Sequence, residues 1–237
     1  MRRNDFLNLR WLAAIGIIGL ILVCSLYAKR ELFCIKDEFG AEKTNIENLE
    51  INGLRNGDLI FQTSLSGQSK AIQLATKSRY SHCGIIYKER NDYFVLEAVQ
   101  PVKLTSLNTW IARGQDGKFV IKRLKNADRI LTPTAIAEMK KLGKKYLGKS
   151  YDLTFEWSDD KMYCSELIWK IYKQSTGLEI GELQKLKDFD LTNKIVKEKM
   201  HERYRDNIPE DEIVISPAAI FESELLFTVT PSESNKF

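Results

Sequence analysis

Asp152-Leu-Thr-Phe-Glu-Trp-Ser-Asp-Asp-Lys-Met-Tyr-Cys164-Ser-Glu-Leu-Ile-Trp-Lys-Ile-Tyr172 begins as a polar, aspartate-rich loop and ends as an amphipathic pattern. Leu167, Ile168, Ile171 and Tyr172 recur at helical spacing, so a helix is predicted with Cys164 at its start and Gly177 at its end. Unpaired backbone N–H groups and the positive end of a helix dipole favour a thiolate over a thiol, which makes Cys164 a candidate nucleophile. The alternative is a small apolar residue tucked under the first turn.

A cysteine nucleophile needs a base, and the chain contains two histidines, His82 and His201. His201 lies in Lys197-Glu-Lys-Met-His-Glu-Arg-Tyr-Arg205, a charged helical face with nothing apolar to position an imidazole. His82 starts the apolar run Tyr80-Ser-His-Cys-Gly-Ile-Ile-Tyr87, and Gly84 after it permits close approach. A polar turn, Lys88 to Asp92, joins this run to Tyr93-Phe-Val-Leu-Glu-Ala-Val99, so the two read as a hairpin. The start of the first strand then lies opposite the end of the second, which brings His82 near Glu97. Glu97 is the charged residue of an otherwise apolar run, and a buried carboxylate is costly unless paired. It can orient the base, or it can face water on the open side of the sheet.

Around this centre the remaining elements follow in quick succession. A short strand is expected at Asp58 to Gln62, a helix at Lys70 to Thr76, an edge segment at Pro101 to Leu104 and a helical turn at Ser106 to Ala112. Lys118 to Leu124 reads as a strand, and Thr132-Pro133 starts a helix that stops at Gly148. Asn193 to Tyr204 reads as a charged helix with a solvated face, Ser216-Pro217 caps a short helix, and Leu225 to Val229 closes as a strand. The expected class is α+β, an antiparallel sheet packed against helices.

The N-terminus is of a different kind. Arg2, Arg3 and Arg10 precede an uncharged run from Trp11 to Ala28, just long enough to cross a bilayer, and Lys29 and Arg30 follow it. Residues 1–30 are expected to be a single-pass anchor with membrane contact through 11–28, or else a cleaved signal. The basic residues favour the N-terminus inside and the domain on the outer side; the alternative is secretion after cleavage. Cys24 suggests lipidation only weakly, because Val23 is bulky for such a site. Residues 31–50 read as a linker, 51–230 as one domain and 231–237 as a tail. The net charge of +4 is spread along the chain, so no nucleic-acid partner is expected. The four cysteines show neither a metal-binding nor a disulfide spacing, and no nucleotide motif is present, so no metal or cofactor is expected.

Gly57-Asp-Leu-Ile-Phe61, Tyr80-Ser-His-Cys-Gly-Ile85, Val95-Leu-Glu-Ala98, Tyr151-Asp152, Tyr163-Cys-Ser-Glu-Leu167 and Ile215-Ser-Pro217, in this order, resemble the YiiX/YebB-like, circularly permuted papain-fold hydrolases of the NlpC type. The resemblance covers nearly everything from Gly57 to about Leu226. It implies a permuted papain-like fold in which histidine precedes cysteine, with Cys164 as nucleophile, His82 as base and Glu97 as orienting acid. Cys83 departs from the bulkier apolar residue expected beside the histidine. The implied reaction is amide cleavage through a thioester acyl-enzyme, with Tyr163 or Tyr80 as a side-chain contact to the oxyanion or substrate. The substrate it suggests is a cell-wall peptide or related γ-linked peptide. The alternatives are a lipid acyl hydrolase or acyltransferase of the same superfold, and an envelope-binding module without turnover. An apolar channel at the site would favour acyl chains, and a charged groove would favour peptides.

Overall fold

The computed structural model describes residues 53–229. The expected N-terminal anchor or signal, the linker and the C-terminal tail lie outside them, together with Cys24 and Cys34. Among the described residues no helix is long and apolar enough to cross a membrane.

The strands are β1 (Leu59–Gln62), β2 (His82–Glu89), β3 (Asp92–Glu97), β4 (Lys103–Ser106), β5 (Val120–Leu124), β6 (Gln184–Lys185), β7 (Ile213–Val214) and β8 (Leu226–Thr228). The helices are α1 (Ser69–Thr76), α2 (Leu107–Ala112), α3 (Ala127–Ile130), α4 (Pro133–Tyr146), α5 (Cys164–Thr176), α6 (Lys194–Tyr204) and α7 (Pro217–Phe221). Six strands form one antiparallel sheet in the order β4-β3-β2-β1-β5-β8, and β6 pairs with β7 as a separate ribbon.

Side-chain alternation divides the sheet into two apolar faces. Leu59, Phe61, Cys83, Ile85, Tyr87 and Leu96 point toward α4 and α5 and join Met139, Tyr146, Leu167, Ile168, Ile171 and Tyr172 in the main core. Ile60, Ile86, Val95 and Ile121 point the other way, where Leu107, Trp110 and Ile111 of α2 cover them. A third, smaller cluster joins Ala71 of α1 to Leu186 and to Val196 and Met200 of α6.

Local chemistry sets the helix ends. Thr132 caps α4 by accepting from Ala135 N–H, and Pro133 occupies the first turn. α5 starts where Glu166 reaches back to accept from Tyr163 N–H at 3.3 Å, and it ends at Gly177, whose φ of +76° is the left-handed conformation a glycine adopts freely. Asp58 does more than cap its turn. Its carboxylate accepts Arg55 N–H and forms a two-pronged pair with Arg123 at 2.7 Å, which ties β1 to β5. The Tyr172 hydroxyl donates to the Gly57 carbonyl and ties α5 to the same turn.

Candidate active site

The β2–β3 register pairs Ile85 with Leu96, so one step further it sets Gly84 against Glu97. His82 is two residues before Gly84, on the same face. Between them Gly84 leaves a gap: a Cβ there would meet Val95 Cγ1 at 2.4 Å and the Leu96 carbonyl at 2.9 Å. Through this gap His82 Nε2–H donates to Glu97 Oε2 at 2.6 Å. Glu97 is fully buried.

Two residues not singled out in the sequence complete the carboxylate's shell. Thr105 Oγ1 donates to Glu97 Oε1 at 2.6 Å, and Arg113 donates to both oxygens at 2.7 and 2.5 Å. Burial would raise this carboxyl, but the hydrogen bonds and charge of His82, with Arg113 and Thr105, hold it down to about 2. The His82 ring also stacks on Trp110, at 5.8 Å between centroids and 23° between planes.

With Nε2 engaged by Glu97, His82 has Nδ1 left for Cys164. Burial disfavours its imidazolium, yet hydrogen bonds to Cys164 and Glu97 and their negative charges raise the pKa to about 9. Cys164 is held well below the usual thiol range, first by a hydrogen bond from the Cys83 thiol and, against burial, by the hydrogen bond and charge of His82. Cys83 lies on the core side of β2. Burial and the negative sulfur of Cys164 push its own thiol well up. The structure thus brings Cys164, His82 and Glu97 together and adds a second thiol that the sequence reading set aside.

The two tyrosines expected near the oxyanion occupy packing positions. Tyr163 Oη accepts from Ile215 N–H at 3.1 Å, and Ser165 Oγ donates to the Ile215 carbonyl at 2.7 Å, so the Ile215-Ser-Pro217 segment braces the start of α5. Tyr80 packs its ring against Phe61 and Phe221. It is Tyr151 that shares a cavity wall with Cys164. Its hydroxyl accepts from Gln68 Nε2 at 2.8 Å and keeps its own proton to donate. Burial and then the charge on Cys164 raise its pKa well above the ordinary value. A bridge between Tyr151 and Met162 holds it there, while buried Asp152 accepts from Thr154 and Glu156 N–H and orders the loop ahead of Cys164. The dipeptide Tyr151-Asp152 was visible in the sequence; the proximity of its tyrosine to the sulfur was not.

A buried thiol lowered by an imidazole that a carboxylate orients is the chemistry of a cysteine acyl-transfer enzyme. A family described as permuted papain-like amidase enzymes, YaeF/YiiX, C92 family, matches residues 53–230. The chain belongs to this family. It is therefore a cysteine hydrolase of the amidase type with a permuted papain-like fold, as the resemblance implied. A relative, the uncharacterized protein YiiX of Escherichia coli strain K12, is 49% identical over 173 residues, which cover 73% of this chain and 84% of that protein. A crystal structure of YiiX from Escherichia coli O157:H7, described as a metalloprotein, superposes with a TM-score of 0.72 at 48% identity, covering 75% of this chain and 97% of that one. Among the described residues of this chain, no group of three or more His, Cys, Asp or Glu is placed to hold a metal ion.

Beside the sulfur runs an open groove with about 720 Å³ of empty space, mouth included. Its walls include Ala71 and Ile72 of α1, Phe155, Leu186 and Val214, and Val196 and Met200 of α6. Lys199 and Arg203 also line it, but Arg203 donates to Gln68 and lies over the Phe155 ring at 4.8 Å. α6, expected as a merely solvated helix, supplies one wall.

Proposed function

We propose that the protein hydrolyses an amide whose acyl part is an apolar chain, with Cys164 as nucleophile, His82 as acid and base, and Glu97 as the group that orients His82. One observation carries the choice of substrate: the groove that ends at Cys164 is walled almost wholly by apolar side chains. This favours the acyl-chain alternative over the cell-wall peptide, which would leave charged groups facing apolar walls.

In this reading the Cys164 thiolate attacks the carbonyl carbon. The oxyanion receives the Cys164 N–H at the start of α5 and the Tyr151 hydroxyl. The His82 imidazolium gives its proton to the departing amine; the thioester forms and the C–N bond breaks. Neutral His82 then takes a proton from water, whose oxygen attacks the thioester and releases the carboxylic acid and Cys164. Membrane contact through residues 11–28, with the domain on the outer side, belongs to the same proposal, because such substrates partition into bilayers.

The test uses the full chain with N-acyl amines of increasing chain length, phospholipid and cell-wall peptides, beside Cys164→Ala. Each methylene buried in the groove contributes about 0.8 kcal/mol, so kcat/KM should rise roughly fourfold per methylene until the groove is full. Faster cleavage of cell-wall peptide than of any long-chain amide would overturn the substrate assignment. Release of fatty acid from phospholipid alone would replace the amide by an ester.

A further inference from the structure

The nucleophile has a second sulfur beside it that the hydrolytic cycle does not use. Cys83 follows His82 on β2, points to the opposite face of the strand, and is fully buried in the cluster that also holds Cys164. Its thiol hydrogen-bonds the Cys164 sulfur. Both are free cysteines.

We propose that Cys83 is the resolving thiol of a reversible, hydroperoxide-driven modification in which Cys83 and Cys164 form a disulfide and the enzyme is switched off. Cys164 lies on the wall of the open groove, so a molecule as small as hydrogen peroxide has a path to it. Its thiolate attacks one peroxide oxygen; the S–O bond forms, the O–O bond breaks, and hydroxide leaves with the electron pair. The product, a sulfenic acid, is neutral. Besides burial, the causes that keep Cys83 protonated are its hydrogen bond to the Cys164 sulfur and that sulfur's charge, and oxidation removes both. The freed proton of Cys83 passes to the leaving hydroxide as water, the Cys83 sulfur attacks the Cys164 sulfur, the S–S bond forms and the S–O bond breaks. The two sulfurs supply the two electrons that reduce one peroxide to two waters. A dithiol returns them and restores both thiols.

The proposal rests on Cys164 as a reactive thiolate and not on the identity of the substrate, so its test reads the sulfurs directly. The full chain is treated with hydrogen peroxide, denatured, alkylated and mapped by mass spectrometry, with and without later dithiothreitol. In the wild type, Cys83 and Cys164 should lose alkylation together, appear as one cross-linked peptide pair and both return after dithiothreitol. In Cys83→Ser, which keeps a hydrogen-bond donor, Cys164 should pass to the sulfinic acid and stay unalkylated after dithiothreitol. Cys83→Ala should behave as Cys83→Ser does, and the wild-type mapping stands even if neither variant folds. Loss of Cys164 alkylation while Cys83 remains fully alkylated would overturn the proposal, and so would a bridge from Cys164 to Cys24 or Cys34. Failure of every amide to be cleaved would leave these readouts untouched, which separates this proposal from the substrate assignment.

Discussion

Glu97→Gln isolates the charge of the orienting carboxylate while keeping its shape and an oxygen that accepts from His82 Nε2–H. In the native site burial pushes the imidazolium down, and the hydrogen bonds and charges of Cys164 and Glu97 together still lift it from 6.5 to about 9. Those two partners therefore supply more than the whole of that rise. Removing the Glu97 charge alone should cost roughly one pH unit of it, about 1.4 kcal/mol. The sign follows from the mechanism. Activity needs thiolate and imidazolium together, so the rate rises with pH as Cys164 ionises, below the usual thiol range, and falls as His82 loses its proton near 9. In Glu97→Gln the alkaline limb should move roughly one pH unit toward acid, and kcat/KM at neutral pH should fall about 100-fold or more, since the ring loses its charged anchor. The assay is the pH dependence of kcat/KM, with the pH dependence of iodoacetamide alkylation at Cys164 alongside as a substrate-independent reading. An alkaline limb that stays near 9, with a rate close to wild type, would refute the role of Glu97 and reduce it to a counter-ion for Arg113.

Three further outcomes follow from the packing. Gly84→Ala places a Cβ at 2.4 Å from Val95 Cγ1 and 3.6 Å from Glu97 Cβ, so it should displace the His82–Glu97 pair and lower kcat more than KM changes; a fully active variant would show that the gap is dispensable. Asp58→Ala leaves Arg123, held by both carboxylate oxygens, without its partner, and denaturant unfolding should show a loss of about 3 kcal/mol. Met200→Trp fills the groove from α6 and should abolish cleavage of long-chain amides while sparing short ones, with circular dichroism confirming the fold; equal loss on both would argue against a chain-binding groove.

How much of this site could be read from the chain depended on how local the contacts are. Within the β2–β3 hairpin, side-chain alternation and a turn at Arg90-Asn91 were enough to bring His82 to Glu97, because only a few residues separate the two strands. The helix at Cys164 was likewise local, set by its apolar period and by Gly177. Arg113, Thr105 and Tyr151 reach the site from a helix end, an edge strand and a loop, and no period in the sequence connects such positions. Cys83 is an instructive intermediate case. Alternation alone places it on the opposite face from His82, toward α5, but its hydrogen bond to Cys164 depends on how that helix seats on the sheet. The β6–β7 ribbon, two residues to a strand, and the single turn of α3 carry too few residues to show a period at all.

α6 shows why composition misled where spacing did not. Lysines, glutamates and arginines dominate Lys194 to Arg205, and that is the signature of a solvated face. Yet Val196, Met200 and Tyr204 stand at intervals of four, a stripe one residue wide that packs on α1 rather than on the sheet. A stripe so narrow cannot belong to the main core; it can only close a small cluster, and that cluster forms the far wall of the groove. The same economy sets the chemistry the groove accepts. Polar atoms of α6 either face water or, like Arg203, are already engaged, so what remains to line the cavity is apolar. A chain entering there exchanges water for methylene contacts along its length and meets its first reactive group at Cys164, which places the hydrolysed bond at the chain's carbonyl end and assigns the polar partner, the departing amine, to the open side of the site.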